Sequence, residues 1–162
     1  SVYGGNITTY RRLAEEALEK LSPYLKGTKA REVWTAKASL PGGDMDVSAV
    51  AALAAELLRD YPFLTPAHAN RLAHAYGTRA VNVLGPAKSM ADLGRGFGGT
   101  LTESEVRYLI SYEWACTAED IVWRRSKLGL RMSAAEIAAL DEWLTADQAQ
   151  TGRPRQEAGA RL

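Results

Sequence analysis

Three places in the sequence carry residue types that could do chemistry. The first is Gly4-Gly5-Asn6-Ile7-Thr8-Thr9, a glycine turn that opens into a helix with Leu13, Ala17, Leu18 and Leu21 on one face. The first backbone N–H groups of a helix have no partner inside it, so beside two glycines they suit an anionic or carbonyl oxygen. Any strand-to-helix turn offers similar donors, so the turn alone names no ligand. The second is Cys116, the one cysteine of the chain. A thiol becomes a nucleophile when a nearby base or cation lowers its pKa. Only His68 and His74 are on hand as bases, so Cys116 is read as a passive thiol on a turn between helices. The two histidines lie six positions apart, which is neither spacing that puts two ligands on one helix face, and no metal site is expected. The third is Leu93 to Thr100, LGRGFGGT. Its glycines invite a phosphate-loop reading, but it lacks the Gly-Lys-Ser/Thr ending and no strand precedes it, so a flexible connector is expected.

The elements that position these residues are written most clearly between Leu101 and Leu130. Thr102 with Glu105, Thr117 with Asp120, and later Ser133 with Glu136 each form a capping box, in which the hydroxyl takes a backbone N–H and the carboxylate reaches back to the cap. Helices are predicted to begin within two residues of Thr102, Thr117 and Ser133, the second stopping at Gly129 and the third near Leu144. Val106, Leu109 and Ile110, then Ile121, Val122 and Leu128, recur at helical spacing and face a core. Asp120 and Arg124, four apart and flanked by Glu119, Arg125 and Lys127, read as a solvated face laced by ion pairs. Upstream, Asp46 or Ser48 opens a helix to about Tyr61, Thr65-Pro66 opens one that stops at Gly77, and a short helix spans Thr78 to Leu84. Pro41-Gly42-Gly43-Asp44 reads as a tight turn with a glycine at positive φ. Trp34, Trp114, Trp123 and Trp143 are assigned to core or interdomain packing, with Trp123 and Ile121 buried. No strand is expected after residue 3. The predicted class is all-α, a compact bundle of five or six helices with Gly/Pro-rich connections.

Length and charge bound what remains. A chain of 162 residues fits one domain and can bury roughly 70% of its unfolded surface. With 46% hydrophobic and 24% charged residues and a net charge of +1, nothing favours nucleic acid or an anionic membrane. Arg124, Arg125, Lys127 and Arg131 are too few to revive a DNA-reading helix without a basic surface. A single cysteine fits a reducing compartment, and no apolar run reaches membrane-spanning length, so a soluble, cytoplasmic chain is expected. Ser1 is not an initiator methionine, and Ser-Val-Tyr-Gly-Gly reads as the end of a strand, which implies a piece of a longer protein.

Two strings carry a resemblance. EVRYLI followed by EWACTAEDIVWRRSKLGL is similar to the C-terminal helical domain of the FAD-dependent, aerobic and membrane-associated glycerol-3-phosphate dehydrogenases. Gly4 to Arg11 resembles the segment Gly-Gly-Lys-(Leu/Ile)-Thr-Thr-Tyr-Arg that ends their FAD domain, with Asn6 in the lysine's place. The resemblance implies that residues 1–21 close an FAD domain, 22–145 form the helical domain, and 146–162 are a disordered tail. It implies that Gly4, Gly5, Asn6, Ile7, Thr8 and Thr9 pass beside the flavin pyrimidine, their amides favouring negative charge on the reduced ring. Asn6 can donate a hydrogen bond but carries no charge, so at this position the chain departs from the phosphate role the family lysine would fill. The resemblance further implies a whole enzyme that oxidises glycerol 3-phosphate to dihydroxyacetone phosphate and passes electrons to quinone. That enzyme would sit peripherally on the inner membrane, and the resemblance leaves room for a homodimer. No catalytic residue falls within these 162 residues, so the fragment alone is expected to be inactive and to hold no FAD. A stand-alone helical interaction module is the alternative that composition leaves open.

Overall fold

The computed structural model describes residues 9–25 and 35–151. These form six α-helices, several short 3₁₀ turns, a π-helical segment and one small antiparallel sheet. The chain divides into two compact units between Leu40 and Pro41.

In the first unit, α1 (Tyr10–Leu21) gives way to a 3₁₀ turn at Ser22–Tyr24 carrying Pro23, which has no N–H to continue the helix. Arg11 pairs with Glu15 at 3.0 Å and Arg12 with Glu16 at 3.2 Å, both along the surface. Thr35 donates its hydroxyl to Glu15 and accepts from Arg11 at 3.3 Å. The apolar face of α1 is formed but not sealed: no residue of the helix is buried among the described residues, and Leu13 and Leu21 are exposed.

In the second unit, Asp46 accepts the Ser48 N–H at 2.8 Å and starts a 3₁₀ turn that runs into α2 (Val50–Asp60). Thr65 and Pro66 then open α3 (Pro66–Tyr76), the Thr65 hydroxyl accepting the His68 N–H at 3.2 Å. The two helices pack face to face, burying Ala54 and Leu57 against the Ala69, Leu72, Ala73 stripe of α3. Gly77, at φ +53°, ends α3 where the Pro41–Asp44 turn crosses it. A Cβ on Gly77 would sit 1.9 Å from the Gly42 carbonyl oxygen, and one on Gly42 (φ +83°) 2.1 Å from that of Tyr76. Both positions therefore demand glycine, and the crossing is fastened by the Thr78 N–H to the Gly42 carbonyl at 3.1 Å and by the Thr78 hydroxyl to Asp44. A short α4 (Ala80–Leu84) follows and stops at Gly85.

The glycine-rich stretch differs from expectation. Gly96–Gly98 (β1) and Leu101–Thr102 (β2) pair as a bulged hairpin, with Gly98, Gly99 and Thr100 all at positive φ in its turn. Phe97 is buried and meets Trp143 edge-on at 5.5 Å, so the segment is part of the core rather than a flexible connector. Strands this short leave no alternation of apolar and polar residues to read.

Thr102 caps α5 (Glu103–Tyr112), as predicted. The helix opened by Thr117 turns into a π-helical segment, Asp120–Arg125, in which the Ser126 N–H reaches the Ile121 carbonyl, five residues back, at 3.1 Å. It stops at Lys127, which takes the left-handed conformation at φ +58°, and not at Gly129. Gly129 is needed for another reason: a Cβ there would lie 2.6 Å from the Trp123 ring. Ser133 and Glu136 complete their capping box, and α6 (Ala134–Thr151) continues past the expected end at Leu144. Residues 152–162 of the expected tail lie outside the described residues, as does Trp34. Ile121 and Val122 point into the core, while Trp123, the next position round the helix, is 38% exposed over Gly129, and Trp114 is 84% exposed. The expected burial of Trp123 is thus corrected, and of the described tryptophans only Trp143 packs against the core.

Candidate functional site

Of the residues assigned to a cofactor strip, Gly4, Gly5, Asn6, Ile7 and Thr8 lie outside the described residues. Thr9 is the cap residue of α1: its carbonyl accepts the Leu13 N–H at 3.0 Å, and its side chain makes no capping hydrogen bond. The N–H groups of the first turn of α1 are left without an intrahelical acceptor, a donor set that fits a carbonyl or anionic oxygen such as the pyrimidine end of a flavin.

The strongest electrostatic feature went unread in the sequence. Glu105 does not reach back to Thr102. Thr102 still accepts the Glu105 N–H, at 3.5 Å, but the carboxylate is turned inward and fully buried. Arg71 on α3 grips it with two parallel bonds of 2.7 and 2.6 Å, and the Tyr76 hydroxyl donates to it at 2.6 Å. The Arg71 Nε also donates to the Thr100 hydroxyl at 2.8 Å, and an Nη to the Thr100 carbonyl at 3.2 Å, so the hairpin turn is tied to the same cation. Burial works to lower the Arg71 pKa, but the Glu105 carboxylate outweighs it and raises the pKa above its ordinary value. Burial first, and then Glu105, push the Tyr76 phenol upward, so it stays a donor. His68, one turn before Arg71, is pushed the other way: burial, helped by Arg71, lowers its pKa. Arg71 and Glu105 are far apart in the chain, and no local pattern joins them.

The 113–117 turn is the second built feature. Asp120 accepts the N–H groups of Cys116 and Thr117, each at 3.0 Å, and its own N–H goes to the Thr117 hydroxyl at 3.1 Å. Burial favours a raised Asp120 pKa, yet the Cys116 N–H, Arg124 and Thr117 together hold the carboxyl below its ordinary value. Arg124 pairs with Asp120 and, at 2.9 Å, with Glu119, as the spacing predicted. The Arg125 Nε donates to the Glu113 carbonyl at 2.9 Å, the Ala115 N–H goes to the Leu109 carbonyl at 3.1 Å, and Gln148 on α6 donates to the Cys116 carbonyl at 2.7 Å. Inside this fastening Trp114 is held at φ +54° with its ring outward. Cys116 is a free, half-buried thiol with no base beside it among the bonds of the turn.

Among the described residues no cluster of His, Cys, Asp and Glu is arranged to hold a metal ion, and no helix is long and apolar enough to cross a membrane. What these residues build is a helical scaffold, pinned by Arg71–Glu105 and by Asp120, that offers aromatic and basic groups at its surface. Comparison with known proteins places it. Residues 33–156 match the family described as the C-terminal domain of alpha-glycerophosphate oxidase. The chain is 43% identical over 144 residues to the aerobic glycerol-3-phosphate dehydrogenase of Escherichia coli (strain K12), covering 89% of this chain and 28% of that protein. It is 45% identical over 155 residues to a glycerol-3-phosphate dehydrogenase of Pseudomonas aeruginosa, covering 96% and 29%. A D-erythritol 1-phosphate dehydrogenase of Brucella abortus is 40% identical over 146 residues, with 88% and 28% covered. The chain spans less than a third of the length of each of these relatives. With residues 33–156, most of its length, matched to that family, the chain belongs to the family of C-terminal domains of alpha-glycerophosphate oxidase.

Proposed function

We propose that this chain is the C-terminal part of an FAD-dependent glycerol-3-phosphate dehydrogenase, an enzyme converting sn-glycerol 3-phosphate to dihydroxyacetone phosphate. The observation that carries the reading is the 43 to 45% identity to two glycerol-3-phosphate dehydrogenases across nearly the whole chain. Bound FAD would take the hydride from carbon 2 and release electrons to quinone, with the full-length protein peripheral to the inner membrane. Residues 1–21 close the flavin domain on this reading, with the helical domain following and a tail after it. The role of these residues is to hold and orient: the amides of Gly4 to Thr9 and the open helix start at Thr9 are donors for the flavin pyrimidine. The unsealed apolar face of α1 suits a helix that finishes its packing against the preceding domain. The described residues of the helical domain support the enzyme without entering its chemistry.

A second reading concerns the substrate only. A relative named for D-erythritol 1-phosphate is nearly as similar, at 40% identity, and Asn6 replaces the lysine of the resembling segment. The test is dye or quinone reduction by the full-length protein with each polyol phosphate. Reduction dependent on glycerol 3-phosphate is expected; reduction by erythritol 1-phosphate alone would move the assignment, and reduction by neither would remove it.

A further inference from the structure

Between α3 and the turn that follows the π-helical segment runs a cleft of about 510 Å³. Asn70, Arg71 and His74, spaced to share one face of α3, form one wall; Lys127, Leu130 and Arg131 form part of the other. No residue lining it is a carboxylate. Arg71 has given its charge to Glu105, so the uncompensated charge comes from the second wall. Arg131 is exposed and its side chain has no ion pair or hydrogen bond among the described residues. Lys127 donates one hydrogen to the Trp123 carbonyl and keeps two. His74 uses Nδ1 on the Asn70 carbonyl at 2.9 Å, leaving Nε2 without a partner among the described residues.

The backbone adds an independent observation. Lys127 stands at φ +58°, a conformation in which glycine is at ease and a side chain is strained, just past the Ser126 cap of a π-helical segment, and such segments gather at functional positions. A lysine there puts a cation on the lip of the cleft at a cost to the turn. We propose that this cleft binds a small phosphomonoester, its dianionic head held between the Lys127 ammonium and the fork of Arg131, with the Asn70 amide as a neutral donor and the exposed Leu130 against the organic part. This site does not depend on the oxidoreductase reading, because none of its residues belongs to the proposed flavin strip.

The test is an NMR titration of the full 162-residue chain with inorganic phosphate and with phenyl phosphate at constant ionic strength, chloride being the control. Saturable shifts confined to residues 70–74 and 126–131 are expected, with phenyl phosphate the tighter ligand. Lys127→Gly is the informative variant because it removes the cation while relieving the backbone, so it should unfold no earlier than the parent yet bind phosphate about tenfold more weakly. Arg131→Gln should weaken binding by a similar factor with an unchanged circular dichroism spectrum. Shifts no larger than those from chloride, parental affinity in both variants, or saturation by an acidic peptide at the same concentration as phenyl phosphate would each overturn the proposal.

Discussion

Glu105 is fully buried, and Arg71 and Tyr76 supply its carboxyl group with three short bonds. Removing one member of a buried pair leaves the other desolvated and alone, which costs about 3 to 5 kcal/mol, whereas replacing the whole set with apolar residues of similar volume is close to neutral. Urea unfolding of Glu105→Ala should show a loss of that size, and the triple variant Arg71→Met, Tyr76→Phe, Glu105→Leu should lose less than the single one. A triple variant weaker than Glu105→Ala would mean that the network, through its hold on Thr100, shapes the hairpin more than it neutralises charge. The tryptophans give the opposite case. Trp114 is 84% exposed in a strained backbone position, so Trp114→Gly should change stability by less than about 1 kcal/mol in either direction, against about 2 to 5 for Leu109→Ala, which empties a site only 1% exposed. A comparable loss at both positions would show that the Trp114 ring is covered in the folded chain.

At the scale of the elements, α3 carries both a buried base, His68, and a partly buried cation, Arg71. The folded-state pKa of His68 is lowered by burial and by Arg71. The unfolded chain therefore binds the proton more readily, and stability falls as pH drops below the unfolded value of about 6.5, levelling off once the folded pKa is passed. Asp120 is a depressed carboxyl, so its contribution is kept down to about pH 4 and lost below that as it protonates. Chemical unfolding followed from pH 7.5 to 5 should thus show a decline that His68→Gln flattens and Asp120→Asn leaves in place; a slope unchanged by His68→Gln would place the titrating group elsewhere. The helices themselves were legible because caps are local chemistry. Thr65, Thr102, Thr117 and Ser133 each bond a backbone N–H three residues on, and a reader of sequence sees both partners together. The Glu105 carboxylate was misread by the same habit, since its true partner lies on another helix. The hairpin at Gly96–Gly98 was missed because glycine supplies no pattern, and the π-helical winding because its five-residue bond depends on where Ser126 lands.

For the whole molecule, the family was legible in two strings, while the strip assigned to the cofactor remains a reading of residues that, Thr9 apart, lie outside the described structure. A flavin needs a pyrophosphate turn, an adenosine pocket and an isoalloxazine wall, and the proposed strip would supply a part of the last alone. The 162-residue chain is accordingly expected to purify without flavin absorbance and to reduce no dye with glycerol 3-phosphate. In the full-length protein the same strip becomes testable. A valine at position 5 adds a branched side chain where the backbone amides are proposed to approach the ring, whereas Trp143→Phe only trims an indole that packs on Phe97 and lies beneath Arg107. Gly5→Val should lower flavin occupancy or turnover by about tenfold or more, an amount corresponding to a single lost close contact in a pre-organised site, and Trp143→Phe should leave both near the parent level. Flavin content read from absorbance separates the two ways this could fail. If Gly5→Val keeps its flavin and its turnover, residues 4–9 are a connector and the cofactor role assigned to them is wrong. If Trp143→Phe lowers turnover as much as Gly5→Val does, the helical domain is coupled to the chemistry, and its part in the enzyme is larger than support.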